Sequence, residues 1–371
     1  MTSGSASSLF FTGATGLLGG ALLVAGEPIG ALVCGAVAVA TGGYENRRQR
    51  ARRAGPPQVS FWRAAVAGYP ESQAGWWPKR AKFLVRAAWQ RRATRVWVNR
   101  LQSPAIQALW AARPRLSSKL QRPYLCRDWA VPERLAALDS HYRILGELLA
   151  APAREQIYRD GLTLVRLVHA ATGRQVDLRL VYREQFEKEG ELSLTVEEVA
   201  TRLTLAGLTF CLVDDGPRRI GWIGGVQASA DPRTRELITE VAKEMHGLRP
   251  KGLALWALRQ LVVPWRLAHL RAVGNGDHAH RHWHRPNEFA ANYEEFWAES
   301  GGRAHAGGGW ELPLVVARRR RDEIKPSRRK AYDRRYALLA ELRAELLAAY
   351  SAVTPDAALG EADGLPRICE Y

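Results

Sequence analysis

The stretch Met245 to Leu255, MHGLRPKGLAL, holds side chains suited to handling phosphate, with Arg249, Gly252 and Ala254 in the spacing R-x-x-G-x-A and Lys251 among them. A glycine lets backbone N–H groups approach phosphate oxygens. The helical pattern that opens here adds unpaired N–H donors and the positive end of a helix dipole. Arg249 would contribute a planar fork that fits phosphate, and Lys251 a point charge. An ordinary helix start with a structural glycine satisfies the same six residues, so the spacing acquires meaning only from its neighbours. Glu244 and His246 flank the loop, and both are residue types that take a proton from an amine near neutral pH.

Other groups invite chemistry less strongly. The run DHAHRHWH places Asp277, His278, His280, His282 and His284 within eight residues. Alternate histidines on a strand face one side and suit zinc, but a working site normally recruits a ligand or an orienting partner from elsewhere in the fold. No metal is assigned. Cys34, Cys126, Cys211 and Cys369 lie far apart with no paired spacing, which points to a reducing compartment, with neither a disulfide frame nor a zinc knuckle. In LFFTGATGLLGG, Gly13, Gly16 and Gly19 fit a dinucleotide loop. That loop requires a second strand ending in a ribose-reading residue about 20 positions on, and the chain offers glycine, alanine and then arginine there.

Residues 9–43 contain one charged side chain, Glu27, followed at once by Pro28. They are expected to form an apolar hairpin at a membrane, with a soluble Gly/Ala hairpin as the alternative. Small residues recur four apart at Gly16 and Gly20 and at Gly26 and Gly30, a spacing that lets helices approach closely in lipid. The basic cluster Arg47, Arg48, Arg50, Arg52 and Arg53 follows and would hold the rest of the chain on the cytoplasmic side of the inner membrane, or simply in the cytoplasm. Each half would rise only about 24 Å against a hydrocarbon core of about 30 Å.

The elements that must position these groups occupy the remainder of the 371 residues, 47% of which are hydrophobic, enough for a large core. The net charge of +17 suits an anionic partner, whether nucleic acid, anionic lipid or a phosphate-rich cofactor; an arginine-rich composition alone also produces it. A Trp/Arg-rich stretch, residues 76–102, reads as one or more amphipathic helices with Trp89, Trp97 and Leu101 roughly on one face. A helix at LDSHYRIL precedes five strand-like segments, from GLTLVRLVHA to RIGWIGGVQAS, expected as an antiparallel meander. Two helices follow (TRELITEVAKEM and GLALWALRQLV), then a strand (LRAVGN), a helix (EFAANYEEFWAES), a final strand (WELPLVVA) and a long terminal helix. The expected organisation is residues 1–55 as the apolar segment with its basic flank, 56–150 as a helical region, 151–320 as an α+β core, and 321–371 as a basic helix with an acidic tail. The run ARRRRDEIKPSRRK could grip phosphates but reads more simply as a solvated or lipid-facing helix start.

In this setting the R-x-x-G-x-A loop resembles the pyrophosphate loop of GNAT-superfamily N-acyltransferases, because an antiparallel sheet precedes it and a strand follows its helix. The resemblance implies a fold of class α+β, with a GNAT-like, mixed and mostly antiparallel sheet flanked by helices. It also implies an acyl-CoA or acyl-carrier thioester held by Arg249, Lys251, Gly252 and Ala254. Gly224 and Gly225 would relax the central strand so that the pantetheine arm pairs with it, and Gln227 would contact substrate. Tyr293 would protonate the departing thiolate, and Glu244 or His246 would act as base. The helix TRELITEVAKEM departs from the superfamily, which runs directly from strand to loop.

The motifs LDSHYRIL, IGWIGGVQAS, HGLRPKGL, YEEFWAESGG and DEIKPSRRKAYDRRY, in that order, resemble the VirK/YbjX family over about residues 75 to 345. That family is associated with virulence and antimicrobial-peptide resistance. That family's chemistry is largely undefined, and it is the GNAT-like loop that gives the expectation of acyl transfer to an amine or lipid-linked acceptor in envelope modification. Its alternative is a non-catalytic factor whose basic surface binds anionic membrane lipid. Nucleic acid is disfavoured, since no recognised motif accompanies the charge.

Overall fold

The computed structural model describes residues 59–279 and 292–355. The apolar segment 9–43, its arginine cluster, His280, His282, His284 and the acidic tail lie outside the described residues.

Four helices open the described chain: α1 (Phe61–Gly68), α2 (Trp76–Trp89), α3 (Arg91–Leu101) and α4 (Gln107–Ala112). Ser60 caps α1 by accepting the N–H of Arg63 at 3.2 Å. A 3-10 segment, Pro114–Gln121, leads to α5 (Val131–Leu148), which contains LDSHYRIL, and to α6 (Ala151–Arg159).

The meander follows as β1 (Leu162–Val168), β2 (Gln175–Val181), β3 (Leu192–Glu198), β4 (Thr204–Asp215) and β5 (Arg218–Gln227), each antiparallel to the last. All of β3 and most of β4 are buried, because α5 packs on β4 while the later helix α8 (Pro250–Leu261) packs on β3 and β4. Between β5 and α8 stands α7 (Thr234–Glu244). The chain then returns as β6 (Leu267–Ala272), parallel to β5, a direction that needs a helical crossover. After α9 (Tyr293–Glu299) come the short strands β7 (Arg303–Ala304) and β8 (Trp310–Leu312) and the long helix α10 (Arg329–Ser351). The eight strands run in the order β1-β2-β3-β4-β5-β6-β8-β7. The fold is therefore a mixed α+β one, with a mostly antiparallel sheet flanked by helices.

Two expectations change. The final strand ends at Leu312, because Pro313 has no N–H to give the ladder. Trp89, Trp97 and Leu101 do not share a face: Gln90 breaks the helix, Trp97 and Leu101 are fully buried in the main core, and Trp89 is 89% exposed. Trp97 is fixed by an Nε1 hydrogen bond to the Leu116 carbonyl at 2.9 Å. A separate small core of α1–α3 side chains, including Tyr69, Phe83 and Val98, joins these helices to one another.

Candidate functional site

The site begins where β5 and β6 part. Their parallel pairing ends at Ile223 with Ala272, and the last bond is from the Val273 N–H to the Ile223 carbonyl, while β5 stays paired with β4 as far as Gln227. The β4–β5 register shifts between Thr209 and Phe210, which face Gly225 and Ile223, so Gly224 is the extra residue of a bulge. Into this bulge presses the segment joining β2 to β3. A Cβ at Gly224 would lie 1.9 Å from the Glu189 carbonyl oxygen, and one at Gly225 would lie 2.3 Å from Glu189 Oε2. The two glycines therefore make room for Glu189.

Around this point a buried polar cluster assembles. Gln227 Nε2 donates to Glu189 Oε1 at 2.8 Å and to the Tyr293 hydroxyl at 3.3 Å. The Val226 N–H, on the edge that β6 has left, also donates to the Tyr293 hydroxyl at 3.3 Å. His278 Nε2 lies 3.4 Å from Glu189 Oε1 and 3.5 Å from the Tyr293 hydroxyl. Glu189, His278 and Tyr293 are all buried. Burial, followed by the negative charge of Glu189, pushes the Tyr293 phenol well above its ordinary range, and the Val226 donor pulls modestly the other way. Tyr293 thus stays protonated at neutral pH.

Local structure holds Tyr293 there. Asn292 caps α9 by accepting the Glu295 N–H, Asn275 Oδ1 accepts the Tyr293 N–H at 2.9 Å, and Trp297, stacked on Tyr293, donates its indole N–H to the Val273 carbonyl. On the other side, Leu125 N–H bonds the Lys188 carbonyl, Arg127 N–H bonds the Asp277 carbonyl, and Cys126 bridges to His278. The helical region thereby grips both segments that bring Glu189 and His278 to the cluster.

A cleft of about 580 Å³ opens beside the cluster, walled by Val226 and Gln227 of β5, Ile238 and Arg235 of α7, and the Arg249–Lys251 entry to α8. Its cations are Arg235, Arg249 and Lys251. Arg235 makes no ion pair among the described residues. Arg249 reaches Glu299 only at 4.0 Å with both side chains exposed, a contact of little energetic weight. Lys251 lies over the Phe296 ring at 4.3 Å, and burial lowers its pKa against the opposing pull of Glu299.

The remaining candidates lie elsewhere. Glu244 bonds Arg174 at 3.0 Å and the Thr172 hydroxyl at 3.2 Å, both beside the β1–β2 turn. His246 takes a left-handed backbone conformation, its carbonyl accepts two bonds from Arg335, and burial together with Arg334 and Arg335 lowers its pKa. Gly252 lines a different groove, between α8 and α10, where an added Cβ would meet only Leu248 at 3.4 Å. Ala254 is fully buried in the core. The structure thus gathers Gln227, Tyr293, Arg249 and Lys251, and adds Glu189, His278 and Arg235. Glu189 was signalled only by the following Gly190, whose Cβ would strike the Phe210 carbonyl at 2.5 Å; His278 stood out in sequence as a metal candidate. No group of three or more metal-ligating side chains occurs among the described residues.

A family model described as a protein of unknown function, DUF535, matches residues 72–348. The chain belongs to the DUF535 family. Its relatives include the uncharacterized protein YbjX of Escherichia coli, 30% identical over 272 residues, which is 72% of this chain and 82% of the relative. An uncharacterized protein of Haemophilus influenzae is 22% identical over 222 residues, 59% of this chain and 72% of the relative. The family match spans every part of the candidate site, from Glu189 to Tyr293. No solved structure matches the chain. Among the described residues, no helix is long and apolar enough to cross a membrane.

Proposed function

We propose that the protein is an acyltransferase of GNAT-like type, which moves an acyl group from a CoA or carrier thioester to an amine or lipid-linked acceptor. The observation that carries this reading is that Val226 and Gln227, which wall the cleft opposite its cationic helix entry, both hydrogen-bond the buried Tyr293 hydroxyl behind them. Arg235, Arg249 and Lys251 suit the phosphates of such a donor, since three cations converge there with only a long contact to Glu299 against them. The parallel β5–β6 pairing ends at Ile223 with Ala272, so β6 no longer covers the Val226–Gln227 end of β5 beside the cleft. The α7 insertion contributes Arg235 and Ile238 to the cleft.

In this mechanism the acceptor nitrogen forms a bond to the acyl carbon as the carbon–sulfur bond breaks, and the proton lost by nitrogen ends on sulfur. In this reading Glu189, behind Gln227 and with His278 as its neighbour, receives the first proton. In the same reading Tyr293 hydrogen-bonds the departing thiolate and passes a proton to it. Gln227 orients both by donating to each.

The test is thiol release from acyl-CoA donors of increasing chain length in the presence of a primary amine. Tyr293→Phe should lower kcat about a hundredfold while leaving KM for the donor near its original value. Equal turnover by Tyr293→Phe, or no thiol release from any donor, would remove the reading.

A further inference from the structure

The exposed large apolar side chains of the described chain concentrate at its start. Of eight, five belong to α1–α3: Trp62, Trp77, Val85, Trp89 and Val96. On α2, Trp77, Val85 and Trp89 fall within about 120° of one another at 100° per residue, while Arg80, Phe83 and Ala87 occupy the buried side. Trp62 is exposed on α1, and its ring lies 5.9 Å from the guanidinium of Arg80 on the other side of α2. Monomeric proteins rarely leave such apolar groups together in water.

The charge around them has one sign. Residues 59–101 carry nine lysines and arginines and a single acid, Glu71, which is paired with Arg80. Lys82, Arg91, Arg92 and Arg95 are exposed, and none forms an ion pair among the described residues. Indoles surrounded by unpaired cations match the interfacial zone of a bilayer, where Trp sits at headgroup depth and cations meet anionic lipid. In sequence, α1 also follows the apolar residues 9–43 and five arginines between 47 and 53. Nucleic acid would use the cations, but it offers nothing to the protruding valines.

We infer that α1–α3 form a docking surface for an anionic lipid bilayer, with Trp77 and Trp89 entering the headgroup layer and Arg91, Arg92 and Arg95 meeting lipid phosphates. The surface is distinct from the cleft at Arg249 and needs no catalytic activity.

The experiment is partition of the full chain into phosphatidylcholine vesicles with and without 30 mol% (about one lipid in three) phosphatidylglycerol. Trp77→Ser/Trp89→Ser and Arg91→Glu/Arg92→Glu/Arg95→Glu are compared with the parent, and thermal unfolding verifies each fold. Both variants keep residues 1–58, so any loss belongs to this surface. Each should reduce partition into the anionic vesicles by about tenfold or more, with the charge reversal having little effect on neutral vesicles. Unchanged partition by both folded variants would overturn the inference. It would also fall if the variants lost only binding of a single-stranded oligonucleotide, or only self-association seen by sedimentation, while vesicle binding persisted.

Discussion

His141 shows how tightly one residue can tie this fold to pH. It is fully buried beneath β4, its Nδ1 accepts the Leu212 N–H at 3.1 Å, and burial, aided by Lys119, lowers its pKa from 6.5 to about 3. Between those values the unfolded chain binds a proton that the folded chain does not. The contribution is therefore fully present above pH 6.5 and is lost as pH falls toward 3, amounting to about 2 kcal/mol by pH 5. Urea midpoints measured from pH 7 to pH 4.5 should decline, and His141→Asn, which keeps an acceptor for Leu212, should flatten that decline. The same slope in both proteins would assign the effect to other groups. At this scale the sequence exposed part of the site. Tyr293 and Gln227 stood in recognisable motifs, whereas Glu189 reaches the cluster only because a bulge at Gly224 admits the β2–β3 connection, and apart from the adjacent Gly190 nothing local announces that contact.

At the scale of elements, the support beneath Glu189 is a fully buried ion pair. Glu191 Oε1 accepts Lys119 Nζ at 2.6 Å and the Tyr124 hydroxyl at 2.9 Å, and its Oε2 accepts the Tyr142 hydroxyl at 2.6 Å. Lys119 also bonds the Gly190 carbonyl at 3.2 Å, so the 3-10 segment after α4 clamps the connection that carries Glu189. Lys119→Met should cost about 3–5 kcal/mol, because it leaves the Glu191 charge buried with two neutral donors. Chemical denaturation reads this directly, and a loss below about 1 kcal/mol would show that the pair is not needed. Strands were legible from alternation and turn residues, since each strand keeps its local pattern in the sheet. The Trp/Arg helices were not, because periodicity marks an apolar face without saying which core receives it. Here α3 serves the main core through Trp97 and Leu101 and the small one through Val98, and α2 turns Trp89 outward.

For the whole molecule, an eight-stranded sheet flanked by helices carries both proposed sites. A cationic cleft shares the wall residues Val226 and Gln227 with a buried cluster around Tyr293, and a cationic, indole-bearing surface lies on the helices that open the described chain. The family match places residues 72–348 among the DUF535 proteins. The chemistry rests on whether the cleft binds a phosphate-bearing thioester. The most direct measurement is calorimetric titration of the full chain with acetyl-CoA and longer acyl-CoA esters, repeated with Arg249→Glu, Lys251→Glu and Arg235→Glu. Saturable binding of one donor per chain is expected, weakened about tenfold or more by each reversal. At about 100 times the dissociation constant, the donor should stabilise the fold by about 2.7 kcal/mol. A cooperatively folded protein that binds none of these donors, or binds them equally well after all three reversals, would contradict the account.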